Sequence, residues 1–160
     1  MRKLVCLILV FSLTVPAFAG LGSDKSMYVG GTTESLKKGV EGKIITDDEK
    51  TMVFDYKSGK LQIPYDKVQN LAYGQHAGRR VGATVAWGVT TLGIMALPLL
   101  FSKKRKHYLT LEYTDDNGKN QAAVFEIGKE AVRWTLKALE VRTGKKVEYE
   151  DDEARKAGSK

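Results

Sequence analysis

Cysteine is almost missing from this chain of 160 residues, and the single one, Cys6, falls in the apolar stretch at the start. If that stretch is a removable leader, what remains can form no disulfide, hold no thiolate-bound metal and use no cysteine nucleophile. Histidine is scarce too. His76 and His107 are the only two, each in a basic setting with no flanking acid, so both read as solvated side chains and the parts of a nucleophile triad are lacking. The acidic groups Asp47-Asp48-Glu49, Asp115-Asp116 and 150–153 read as turn and tail charges. Asp115-Asp116-Asn117-Gly118 lacks the alternate-residue ligand spacing of a calcium loop. Gly30-Gly31 and the Gly78–Gly82 pair fit neither the P-loop nor the dinucleotide fingerprint, with no lysine placed for a phosphate cradle. No metal, no cofactor and no catalytic role are expected.

What is present begins with an export signal. Arg2 and Lys3 form a positive start, Leu4–Val15 an apolar run, and Ala17-Phe18-Ala19 a small-x-small cleavage site, so residues 1–19 read as a signal peptide and the mature chain begins at Gly20. The composition, 42% apolar and 28% charged, is that of one ordinary folded domain. Taking Arg2 and Lys3 from the 26 basic residues leaves a net charge of about +5 against 19 acidic ones, which favours anionic partners. For an exported protein these are lipid headgroups or envelope polymers rather than nucleic acid.

The dominant feature lies mid-chain. Val81–Phe101 is 21 residues without a charge, framed by Arg79-Arg80 and Lys103-Lys104-Arg105-Lys106. As a helix it would extend about 31 Å, the thickness of a bilayer's hydrocarbon core. Its nine strongly apolar residues would contribute roughly −3 to −5 kcal/mol to insertion, before glycines, threonines and Pro98 weaken it. The six basic residues of the flanks are candidates for contact with anionic lipid, and Trp87 for a membrane anchor if it lies at interface depth. The competing roles are ordinary topology flanks and a core tryptophan.

Around this segment the pattern is β. Met27-Tyr28-Val29, Val40–Thr46, the alternation Met52/Phe54/Tyr56, the alternation Leu61/Ile63/Tyr65 and a short run to Gly74 predict strands, separated by turns at 47–50 and Ser58-Gly59. Leu109/Leu111/Tyr113 and Ala123/Phe125/Ile127 flank Asn117-Gly118, the signature of a hairpin closed by a type I′ turn. Val132, Leu136 and Leu139, flanked by Trp134, Ala138 and Val141, predict an amphipathic helix with a broad apolar face, ended by Gly144. Residues 146–160 read as a solvated polar tail.

This order of strands, final hairpin and tryptophan-bearing helix resembles the pleckstrin-homology-like fold, in particular the bacterial PH-like and GRAM-like domains. The resemblance is carried by Leu61–Leu71 and by the passage Phe125–Leu139. The chain also resembles a group of small exported bacterial proteins through Tyr73-Gly74-Gln75 and Lys103–Thr110, a group that brings no activity with it. The resemblance implies a binding or scaffolding role. It also implies a PH-like β barrel or sandwich over residues 20–145, with one C-terminal helix and an apolar helical insert at 81–101. Where relatives bind inositol lipids they use basic residues of the first inter-strand loop, matched here by Lys37 and Lys38.

Three placements of the insert are open: folded back on one side of a membrane, crossing it once, or buried in a soluble core. A single crossing would divide the strands before Gly74 from those after Lys106 by roughly 30 Å of hydrocarbon, so the one-sided placement is favoured, with self-association or an envelope partner covering the bend. The expectation is a non-enzymatic, membrane-associated module of the cell envelope. The alternative is a type I single-pass protein with an outer β half sensing an envelope ligand and an inner hairpin and helix binding a cytoplasmic partner.

Overall fold

The computed structural model describes residues 25–33, 36–75, 106–150 and 152–159. Residues 1–19, expected to be a leader, and the apolar segment 81–101 lie outside them. Eight strands make one sheet: β1 (Ser26–Gly31), β2 (Val40–Ile45), β3 (Thr51–Tyr56), β4 (Gly59–Pro64), β5 (Val68–Gly74), β6 (His107–Thr114), β7 (Asn120–Ile127) and β8 (Val147–Tyr149). Helix α1 (Val132–Thr143) follows β7, and α2 (Asp152–Ser159) follows β8. The protein is therefore mainly β with a C-terminal helical region, as the alternation predicts. Among the described residues no helix is long and apolar enough to cross a membrane.

The strand order is β4-β3-β2-β1-β7-β6-β5-β8. Every neighbouring pair is antiparallel except β5 with β8. β1 joins the two halves, pairing with β2 on one side and β7 on the other, and its register shifts between Tyr28 and Gly30. Gly31 has φ +152°, and a Cβ built there would lie 2.0 Å from the Ala122 carbonyl oxygen, so only glycine lets β1 approach β7 this closely. Pro64 ends the edge strand β4, where a missing N–H removes least from the sheet.

The alternating residues meet in one core. Met52, Phe54, Ile63, Leu71, Leu109, Leu111 and Phe125 are fully buried, and Phe125 packs against Tyr28 edge-on at 5.7 Å and against Phe54 at 4.9 Å. Leu36, in the loop between β1 and β2, is buried in the same core. Tyr108, Thr110, Ala122 and Val124 are buried as well, although they alternate with the core residues of β6 and β7, so these two strands are covered on both faces. α1 contributes Val132, Leu136 and Leu139, each worth roughly 1.5–3 kcal/mol when buried. It ends at Gly144, left-handed at φ 68°, whose N–H donates to the Glu140 carbonyl at 3.0 Å.

Three expectations change. The hairpin at Asn117-Gly118 forms, but among the described residues no non-glycine has positive φ, Asn117 included, so its turn is not type I′. Instead Asp115 Oδ1 accepts from the N–H groups of Asn117 and Lys119, both at 2.9 Å, Gly118 N–H donates to the Asp115 carbonyl at 3.0 Å, and Gly118 alone is left-handed. An Asp side chain that holds the turn from its first position favours the wider loop. The apolar face of α1 is narrower than the pattern suggests: Trp134 is 46% and Val141 75% exposed, while Thr135 is buried. Lastly, 146–160 is not a solvated tail. Val147 and Ala154 are buried, β8 extends the sheet in parallel with β5, and α2 packs on α1. A few apolar residues docking on a finished core outweigh a polar average composition.

Candidate functional site

β5 and β6 are adjacent and antiparallel, with Gly74 opposite Tyr108 and Tyr73 opposite Leu109. The chain thus leaves the sheet and re-enters it at one end of one strand pair. Arg79, Arg80, Trp87, Lys103, Lys104 and Arg105 belong to the intervening stretch and lie outside the described residues, as does His76.

His107 stands at the point of re-entry, and it is not solvated as its basic setting suggested. Its ring stacks on Tyr73 with centroids 6.1 Å apart and planes 8° from parallel, and its Nδ1 lies 2.5 Å from the Tyr73 hydroxyl. Burial holds the imidazole below its ordinary pKa, the Lys129 charge adds to this, and Glu126 opposes it. The ring is therefore mainly neutral at pH 7, and in the tautomer protonated on Nε2 its Nδ1 accepts a hydrogen bond from the Tyr73 hydroxyl. Tyr149 of β8 meets Tyr73 edge-on at 6.1 Å. The short C-terminal strand thereby fixes the tyrosine that fixes the histidine.

Lys106 donates to Glu126 Oε2 at 2.9 Å, and the Glu126 side chain is 10% exposed. Its charge is balanced within the fold and has less to offer an external anion. Lys37 and Lys38 are exposed, but their loop starts by Tyr113 and Gln121, since Thr33 bonds Tyr113 and Thr32 bonds Gln121. The loop returns to β2 through Gly39, whose N–H donates to the Tyr28 carbonyl at 2.8 Å, so β1 and β7 lie between it and β6. The fold does not bring Lys37 and Lys38 together with Lys106.

A groove of about 870 Å³ opens beside His107 along α1. Its lining includes Lys129, Arg133, Trp134, Lys137 and Tyr149. At about 100° per residue, Arg133, Trp134, Lys137 and Val141 share the outward side of α1, opposite Val132, Leu136 and Leu139. Trp134 and Val141 are the exposed large hydrophobic residues of the described chain. The sequence holds the signal for this face, cations at 129, 133 and 137 beside a tryptophan. It is obscured because Trp134 fits equally well on a broad apolar side.

Elsewhere, Glu112 lies on the opposite side of β6 from Leu111, near Glu148 of β8, and burial followed by the Glu148 charge raises its carboxyl above the usual range. No family model matches the chain, and no curated protein matches it. Around this point the described side chains form an ion pair, Lys106 with Glu126, and a ring stack, His107 with Tyr73, whose phenol is the hydrogen-bond partner of the imidazole.

Proposed function

We propose that the protein is a non-enzymatic, exported, membrane-associated binding or scaffolding module of the cell envelope, built on a PH-like β domain. In this reading the apolar segment 81–101 stays on one side of a membrane, and Arg79, Arg80, Lys103, Lys104 and Arg105 seat it on anionic lipid. The observation that carries it is the pairing of Gly74 with Tyr108, which puts both ends of the segment on neighbouring strands. A single crossing would have to break the β5–β6 and β1–β7 ladders, and that pairing counts against it. The antiparallel order β4-β3-β2-β1-β7-β6-β5 followed by a helix supports the PH-like assignment. Each flanking charge near an anionic surface contributes about 1 kcal/mol.

The absence of cysteine after residue 6 makes the test direct. Lys57→Cys and Lys119→Cys place single thiols on exposed turns of the early and late strands. A membrane-impermeant maleimide should label both from the same side, and labelling from opposite sides would overturn the reading. Replacing Lys103, Lys104 and Arg105 by glutamine, with Lys106 kept for its partner Glu126, should weaken binding to vesicles containing phosphatidylglycerol. Undiminished binding would remove the role given to these charges.

A further inference from the structure

We propose that the outward side of α1 is a second contact with the same membrane, at headgroup depth, in which Arg133 and Lys137 meet lipid phosphates and Trp134 enters the interface. The inference rests on the membrane reading above but concerns residues that reading does not use. Three observations carry it. The exposed large apolar side chains of the described residues, Trp134 and Val141, lie on one side of one helix rather than scattered over the surface. Cations flank them: Arg133 and Lys137 on the same side and Lys129 just before the helix, none of which forms an ion pair with a described residue. Glu130 and Glu140 line the same groove, Glu140 accepting the Val147 N–H at 2.9 Å, and both subtract from this charge, but Lys129, Arg133 and Lys137 outnumber them and the face remains net positive.

The third observation is position. The groove along α1 includes His107, the first residue of β6, so this side of the helix adjoins the end of the sheet where the basic and apolar segment is attached. A tryptophan with its indole N–H directed to headgroups and its ring to acyl chains, bordered by arginine and lysine, is the composition that settles at a bilayer interface. A protein partner would more often find a desolvated apolar pocket with its charges at the rim. Here the charges stand among the apolar groups, which suits a surface dense in phosphate.

Fluorescence separates this contact from the seating of the segment itself, because the chain has two tryptophans, Trp87 and Trp134. The full chain carrying Trp87→Phe is reconstituted in phosphatidylcholine vesicles, with and without phosphatidylglycerol, and with brominated acyl chains as quenchers. Trp134 emission should shift to the blue and be quenched when phosphatidylglycerol is present, and Arg133→Gln with Lys137→Gln should return both signals to the values without it. The Trp134→Phe chain reports Trp87 in parallel, and circular dichroism checks that each variant is folded. If Trp87 is quenched and Trp134 is not, the α1 contact is wrong and the seating of the segment stands. If neither is quenched, both fall. Quenching of Trp134 that ignores lipid charge overturns the assignment to anionic headgroups.

Discussion

At the β6–β7 turn, polar side chains are tied to one another. Asp115 gathers two N–H groups and the Gln121 amide, Thr32 donates to Gln121 and accepts from the Ala122 N–H, and Thr33 bonds Tyr113. At the other end of the same strands a half-buried ion pair and a stacked histidine lie beside a helix that shows a tryptophan and unpaired cations to the outside. One end satisfies its own polar groups, and the other leaves charge over. What separates the two ends is whether the hydrogen-bond and ion-pairing capacity is already filled.

That contrast can be broken by substitution. The largest effect should come from Gly31→Val near the turn end: φ +152° and a Cβ 2.0 Å from the Ala122 carbonyl force β1 off β7, at a cost above about 3 kcal/mol, measured by urea unfolding. Lys106→Ala comes next. It leaves Glu126 buried without its partner and should cost about 1–3 kcal/mol, with Glu126→Gln restoring part of the loss in the double variant. Equal stability of Lys106→Ala and the parent would mean that the pair is solvent-screened and Lys106 is open to external anions after all.

Smaller effects distinguish the ends by pH. His107 has a depressed pKa, so the unfolded chain binds a proton that the folded chain refuses as pH falls below the ordinary value of 6.5. Stability is therefore lost with acidification from that point, and His107→Gln should flatten this part of the profile. Asp115 is depressed for a different reason, hydrogen bonds from Gln121 and the turn N–H groups, so its contribution is present above its ordinary value of 3.8 and is lost only as pH falls through and below it. Asp115→Ala should remove that lower step. A single merged acid transition, unchanged in both variants, would show that neither group governs its end. The smallest effect on stability should be that of Trp134→Phe, which removes nothing from the core and leaves thermal unfolding within a degree or two of the parent.

The parts of the fold legible in the sequence are those that local periodicity dictates. Met52/Phe54 and Leu109/Leu111 alternate because one face of each strand meets the core, and Val132, Leu136 and Leu139 repeat because α1 covers it. Three things were not legible, each for a non-local reason. Asp115 reshaped the Asn-Gly turn through its side chain. Val147, Tyr149 and Ala154 are too sparse to signal structure, yet they land on a surface the core has already made. The site depends on β5, β6, α1 and β8 converging, so His107 read as solvated when Tyr73, 34 residues away, was its neighbour.

The parallel strand β8 carries a further implication. By pairing with Leu71, Ala72 and Tyr73 it occupies the margin that β5 would otherwise present with unsatisfied amides and carbonyls. A chain shortened at Gly144 would keep its strands and α1 but expose an extendable rim, so its failure should take the form of intermolecular assembly before loss of secondary structure. The last residues are then the fold's guard against polymerising, and an expression tag fused there should be judged by whether that margin stays shut.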